Sequence, residues 1–397
     1  MKHLRLLLPI LALNLACVSL HAQSLSSFTP GDLVVEEVGN GTTALSGTAA
    51  AVFFDEYTPA GLLVGNVALP STGAGAITDG GTGGTDGMIT LSPNGEFLAF
   101  SGFNAPVGTS GVTGTATTAV QRVGGTVSFD GTVTTDLLGT TAFNGAAARG
   151  AFATDPSDVW VNGKGNSTTD GIWFNNGSSS TLVANSNLRT IGYSSGQLLA
   201  ANGTNILAIG SGLPTSGNFN PTISSIIATS GTALGQFVLV TVPGSGVSGP
   251  NTLYVADSGS ATKAILKYTL TSGTLLSGTW VANGTASISA FANTGAFGLT
   301  GVLDGNGSVT IYGTSSNSSN NAGSLFALTD SSGYEGNLTG SATEIAAASA
   351  NETFRGVAFA PSPSITPVPE PATFAALFGA GVLGVSAALR RRALVAS

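Results

Sequence analysis

Short apolar runs of period two, each ended by a tight-turn signal, recur through about 340 residues, and no stretch between them has helical periodicity. Residues 96–100 (EFLAF) follow the turn Ser92-Pro93-Asn94-Gly95. Residues 252–256 read TLYVA, and residues 264–270 read AILKYTL with Leu266, Tyr268 and Leu270 on one face. Residues 309–312 follow Asp304-Gly305-Asn306-Gly307, and residues 158–161 precede Asn162-Gly163. Runs this short between Asn-Gly or Asp-Gly turns form antiparallel hairpins. The chain must therefore fold as many small β units rather than as a helical or α/β body.

A long open sheet of this composition would leave unpaired edges, and charged residues that could guard them make up only 8% of the chain. Radial closure protects most edges, which favours a β-propeller. At roughly 45 residues per four-stranded blade, the body predicts about seven blades. Residues 92–100 (SPNGEFLAF) resemble the strand-turn-strand unit of Tol-type and WD-repeat propellers. Residues 253–259 (LYVADSG) with ILKYTL are similar to an NHL-type blade. Arg149-Gly150-Ala151-Phe152-Ala153 is echoed by residues 355–360 (RGVAFA), and residues 189–193 (RTIGY) form a looser copy. A parallel β-helix is the alternative fold and a β-sandwich array the third. The tight repeat of ~20–25 residues that a β-helix requires is missing.

Both ends carry export signals. Lys2 and Arg5 precede the apolar residues 6–20, and His21-Ala22-Gln23 follows, which reads as a signal peptide cleaved after Ala22. Cys17 lacks a lipobox context. At the other end Val368-Pro369-Glu370-Pro371 leads into an uncharged apolar run over residues 372–389, followed by Arg390, Arg391 and Arg392. As a helix rising ~1.5 Å per residue the run just spans a bilayer core, and the arginines keep the end cytoplasmic.

This tail resembles the PEP-CTERM sorting signal: Pro369, Glu370 and Pro371, one membrane helix, then the arginine cluster. The resemblance implies processing by an exosortase, an integral-membrane peptidase, in the envelope, biofilm or extracellular polymer of a Gram-negative bacterium. Residues 28–35 (FTPGDLVV) and 55–61 (DEYTPAG) are similar to the opening of exported bacterial proteins that carry the same tail.

Composition narrows the chemistry. The two histidines, His3 and His21, and the cysteine, Cys17, all lie in the leader. A body without His or Cys has no Ser-His-Asp or Cys-His nucleophile system, no His/Cys zinc site and no disulfide. Of the 12 Lys and Arg only 7 belong to the body, against 19 of the 20 acids. No basic cluster exists to displace phosphate counterions, so nucleic acid is not an expected partner.

Few residues stand out as sites. Asp304, Asn306 and Ser308 alternate oxygen donors as a calcium loop does, but lack the downstream bidentate acid, and a hairpin turn explains them better. Asp155-Pro156-Ser157-Asp158 reads as a turn for the same reason. Glu36-Glu37 and Asp55-Glu56 could supply a paired-carboxylate centre, though charges of this kind are more often solvated at sheet edges. Trp160, Trp173 and Trp280 could stack on sugars, but fit better as core between sheets. The Asn-x-Ser/Thr triplets at Asn166, Asn202, Asn283 and Asn337 arise by chance in a chain this rich in Asn, Ser and Thr.

The sequence thus predicts a signal peptide over residues 1–22, an exported body over 23–365, a linker over 366–371, a transmembrane helix over 372–389 and a basic cytoplasmic tail over 390–397. The expected function is a surface or extracellular-matrix protein without enzymatic activity or cofactor, in adhesion or carbohydrate contact. A glycan hydrolase or lyase using carboxylates, and a matrix component without a ligand, are the alternatives. The expected partners are signal peptidase, an exosortase-type peptidase, the membrane before processing, and an extracellular polysaccharide.

Overall fold

The computed structural model describes residues 23–166, 168–217, 219, 224–228, 233–259, 263–288, 295–316 and 323–364. The leader with Ala22, the residues of the sorting motif (Val368 to Pro371, Arg390 to Arg392) and the predicted helix over 372–389 lie outside them. The described strands belong to the first of two compact units, Met1–Ser362; the second is Pro363–Ser397. No helix among the described residues is long and apolar enough to cross a membrane.

The first unit is all-β and built as several separate sheets, with one short 3-10 turn at Val112–Gly114. In chain order the first strands are β1 (Leu33–Gly39), β2 (Ala49–Tyr57), β3 (Leu63–Ala68) and β4 (Thr78–Gly80). Set B comprises β5 (Thr90–Leu91), β6 (Phe97–Phe103), β7 (Arg122–Ser128) and β8 (Val133–Leu137). Set C comprises β9 (Ala148–Ala153), β10 (Val159–Gly163), β11 (Gly171–Asn175) and β12 (Ser180–Ala184). Set D comprises β13 (Thr190–Ser194), β14 (Gln197–Ala201), β15 (Asn205–Ala208) and β16 (Ser224–Ala228). Set E comprises β17 (Leu234–Val240), β18 (Thr252–Asp257), β19 (Ala264–Ser272) and β20 (Thr279–Ser287). Set F comprises β21 (Ala296–Leu303), β22 (Val309–Ser316), β23 (Gly323–Asp330) and β24 (Thr343–Ala347).

The last strand, β25 (Glu352–Phe359), returns to pair with β1, so set A has the order β25-β1-β2-β3. Leu33 lies opposite Phe359, Val35 opposite Val357 and Gly39 opposite Glu352. This is the pairing of chain ends that an interrupted ring needs. β4 joins sets A and B by pairing with both β2 and β6.

The first strands of the sets adjoin one another in a closed series: β5 with β9, then β13, β17, β21 and β25, and β25 with β5 again. Their backbones meet closely. Met88 N–H donates to Arg149 O at 2.9 Å, and Gly356 N–H to Gly87 O at 2.8 Å. A Cβ on Gly150 would come within 2.7 Å of Met88, and one on Gly356 within 2.5 Å of Ile89 N, so only glycine allows this approach. Gln236 fills the middle: Nε2 donates to Ile89 O at 2.6 Å, while Oε1 accepts from Leu299 N–H at 3.3 Å and Val357 N–H at 3.2 Å.

Each gap between neighbouring sets holds its own apolar layer. Val34, Phe54, Ile89 and Phe100 pack between A and B; Phe152, Trp160, Ile191 and Leu198 between C and D; Tyr254, Ile265, Ile311 and Phe326 between E and F. Sheets buried on both faces explain why β1, β9, β14 and β18 are buried at every position.

The sequence spacing predicts about seven units, whereas the described residues form six. The excess chain lies in connections such as residues 104–121, which an average repeat length cannot anticipate. Among the named strands every pairing is antiparallel, which removes the β-helix alternative, since its coils stack in parallel. Asn162 and Gly163 end β10 as paired residues rather than forming a two-residue turn.

Candidate functional site

The charged residues nearest the ring gather at the end where its strands begin. Glu36 comes from β1, Asp79 from β4, Asp86 from the glycine-rich connection before β5, Arg149 from β9 and Arg355 from β25. The Arg-Gly echo of the sequence marks this end: Arg149 and Arg355 each stand one residue before the glycine of the close approach. All three acids and Arg355 are at most 1% exposed, and Arg149 is 9% exposed.

Their hydrogen bonding is incomplete. Among the described residues, neither oxygen of Glu36, neither oxygen of Asp86, and not Oδ2 of Asp79 meets a donor. Buried side-chain oxygens in native proteins nearly always have one. Asp79 Oδ1 accepts from Gly80 N–H at 2.7 Å, and Arg355 Nη2 donates to Gly80 O at 3.3 Å. Arg149 Nη1 donates to Asn187 Oδ1 at 2.8 Å and to Leu188 O at 2.9 Å, leaving its Nε without an acceptor among the described residues. Gly87 has a φ of +77°, and a Cβ there would strike Glu36 Oε1 at 2.5 Å, so the connection presses directly on the carboxyl group.

The electrostatics follow from three acids sharing few cations. Burial pushes Glu36 up to about 8; Arg355 pulls it down and Asp86 adds to the rise. Burial, then Asp86 and Glu36, hold Asp79 well above the usual carboxylate range against Arg355. Burial and the neighbouring Arg189 lower Arg149 to about 10, opposed by Asp86 and Asp170. The site therefore sets carboxyl groups of raised proton affinity, Glu36 and Asp79, beside guanidinium groups.

The other sequence candidates separate. Glu36 and Glu37 point to opposite faces of β1, as neighbours on a strand must. Glu37 instead meets Asp55 by a hydrogen bond, with Glu352 nearby; burial, Asp55 and Glu352 push it up to about 10. Asp55 rises to about 7 through burial despite a hydrogen bond from Asn66. Glu56 Oε1 accepts from Thr29 N–H at 2.5 Å. All four acids are buried within set A, which corrects the expectation of solvated edge charges: pairing with β25 makes β1 a central strand.

Asp304, Asn306 and Ser308 form the turn between β21 and β22. Asp304 Oδ2 accepts from Thr310 Oγ1 at 2.7 Å and Asn306 Oδ1 from Ser308 N–H at 3.0 Å. Asp155 Oδ1 accepts from the backbone N–H groups of Ser157 and Asp158, a local turn. No group of three or more His, Cys, Asp or Glu among the described residues is arranged to hold a metal ion.

Trp160 packs among Phe152 and Phe174 and donates to Pro214 O, Trp173 donates to Thr169 O, and Trp280 is half-buried against the layer between D and E. Asn283 is committed to Thr269 Oγ1 and Glu335 O, and Asn202 caps the turn before β15. Asn166 sits in the connection after β10, accepting from Thr168 Oγ1, and Asn337 is exposed. A cleft beside Gly39, Leu45, Ala49 and Val107 contains no ionisable side chain.

Comparison with known proteins resolves the other end of the chain. Residues 367–392 match the PEP-CTERM protein-sorting motif. The chain is an exported bacterial protein sorted by exosortase. The match covers the proline-glutamate-proline residues, the apolar run and the arginines together. No curated protein matches the chain in sequence. In structure the chain is similar to a crystallised protein from Bacteroides fragilis assigned as a 6-phosphogluconolactonase, with 11% identity and a TM-score of 0.37, covering 82% of this chain and 97% of that one.

The expectation of a body without enzymatic activity is corrected here, because it drew more from the missing His and Cys than their absence supports. The physical flaw in the expectation is that lacking His and Cys removes only the mechanisms that need them. Carboxyl groups whose surroundings separate their proton affinities can supply acid–base chemistry without either residue.

Proposed function

We propose that the body is a six-bladed β-propeller whose strand-entry end binds a hydroxyl-rich glycan of the envelope or extracellular matrix in a Gram-negative bacterium. The propeller reading is supported by the closed series of first strands, the separate apolar layers between sets, and the pairing of β1 with β25. In this reading signal peptidase cuts after Ala22, and a helix over residues 372–389 holds the precursor in the membrane until exosortase acts.

One observation carries the ligand class: five buried carboxyl oxygens that meet no partner among the described residues, beside Arg355 and Arg149. Sugar hydroxyls donate to carboxylates and accept from guanidinium groups, so a polyol would satisfy both sides of this cluster. Calorimetric titration of the body with extracellular polysaccharide fragments tests it. Binding that weakens at least tenfold in Asp86→Asn supports the reading, and unchanged affinity refutes it.

A second reading, a glycan hydrolase or lyase, is favoured by Glu36 alone. Held near 8, it keeps its proton at neutral pH as a general acid must, while Asp86 stands beside it. Release of reducing ends that disappears in Glu36→Gln would support turnover; intact glycan after long incubation would exclude it.

A further inference from the structure

β1 is the strand by which the two ends of the chain hold each other, and it carries a buried carboxyl on each face. Glu36 enters the layer between sets A and B, where it faces Arg355 of β25, Asp79 of β4 and Asp86 before β5. Glu37 enters the layer between sets F and A, where it faces Asp55 and Tyr57 of β2 and Glu352 of β25. Tyr312 of set F packs into that same layer. Across both layers two guanidinium groups, Arg355 and Arg149, stand among six carboxyl groups, and Arg149 acts on Asp86.

The ladder is interrupted at the same place. Between Val35 and Glu37 the β1–β25 register shifts by one, a β-bulge in which Arg355 and Gly356 of β25 together face Glu36. The β1–β2 ladder runs unbroken from Leu33 to Val38. The irregularity in the joint between first and last strand thus coincides with the concentration of acids.

We propose that β1 is an alkaline-released latch, which joins the chain ends while Glu36 and Glu37 carry protons and lets go once both are ionised. A protonated carboxyl is neutral and can share its hydrogen, as Glu37 does with Asp55. Ionisation places like charges in two buried layers. Proton affinity in the folded chain is raised, with Asp55 near 7, Glu36 near 8 and Glu37 near 10. Closure is therefore strongest below the ordinary carboxylate range and weakens as pH rises toward 10. Each carboxyl contributes about tenfold in the closing equilibrium per pH unit between its unfolded and folded values. This inference depends on the β1–β25 pairing and stands whether or not the neighbouring cluster binds a glycan.

Hydrogen exchange of the exported protein at pH 6, 8 and 9.5, corrected for intrinsic base catalysis, tests it. Protection of β1 and β25 should fall at least about a hundredfold across the series, while β14, which carries no acid, keeps its own. The Glu36→Gln/Glu37→Gln variant should flatten the pH response of β1. Three results would overturn the latch: β1 and β25 still protected at pH 9.5, all sets losing protection together, or the double variant opening at the same pH as the parent. Should the variant fail to fold, the parent series alone decides.

Discussion

Two buried charged clusters in this protein are built in opposite ways. Between sets E and F, Lys267 Nζ lies 2.8 Å from Asp330 Oδ2 with both side chains nearly inaccessible. Every polar group there is used: Lys267 also donates to Ser332 Oγ, Gly333 O and Gly336 O, and Tyr254 Oη donates to Asp330 at 2.6 Å. Burial pushes Asp330 up, but the hydrogen bonds from Lys267, Ser332 and Tyr254 outweigh it and hold the group below the usual range. Glu36 and Asp86 are as deeply buried and meet no donor among the described residues, and Asp79 meets one on Oδ1 alone. A complete network fixes two sets to each other; an incomplete one leaves capacity for a ligand or a proton.

Breaking the complete network should give the largest loss. Lys267→Met leaves Asp330 buried without its cation and should cost ~3–5 kcal/mol in urea unfolding. Arg122 is a second satisfied cation. It donates to the carbonyls of Ala146, Val120, Thr113 and Thr115 and lies over the Phe103 ring at 5.0 Å. Burial lowers its proton affinity to about 10, so it remains charged at neutral pH. Arg122→Lys keeps the charge but loses the planar fork, and should cost ~2–3 kcal/mol by the same measurement.

The incomplete clusters should respond with the opposite sign. Glu37→Gln should raise stability by about 2 kcal/mol at pH 8.5, because the unfolded chain no longer gains from ionising that group. At pH 4.5 the gain should vanish; a benefit equal at both pH values would place its cause outside protonation. The smallest effect belongs to the exposed turn. Asp304→Ala should cost about 1 kcal/mol through the lost Thr310 hydrogen bond, and millimolar calcium should leave the melting temperature of either form unchanged. A calcium-dependent rise in the parent that disappears in the variant would restore the metal reading of Asp304, Asn306 and Ser308.

How much of this was legible in the sequence differs between fold and site. Hairpin runs and the Arg-Gly echo follow from local pattern, because period, turn chemistry and apolar alternation are local properties. Arg149 and Arg355 were visible as repeat markers, and their position at the strand-entry end becomes apparent only when the sets are aligned. The number of sets was not legible, since connections such as residues 104–121 are held by tertiary contacts, here by Arg122, and carry no period. The site was least legible. Glu36, Asp79 and Arg355 are separated by dozens to hundreds of residues and share no spacing. Two adjacent glutamates look solvated until closure turns their strand from edge to centre.

The contrast between satisfied and unsatisfied buried charge can be tested in one calorimetric experiment, titrating extracellular polysaccharide fragments into the parent, Asp86→Asn and Lys267→Met, with melting temperature measured alongside. The account predicts that Asp86→Asn melts within a few degrees of the parent and binds at least tenfold more weakly. It also predicts that Lys267→Met melts far lower and, while folded, binds as the parent does. The opposite assignment, with binding intact in Asp86→Asn or lost in folded Lys267→Met, would contradict it.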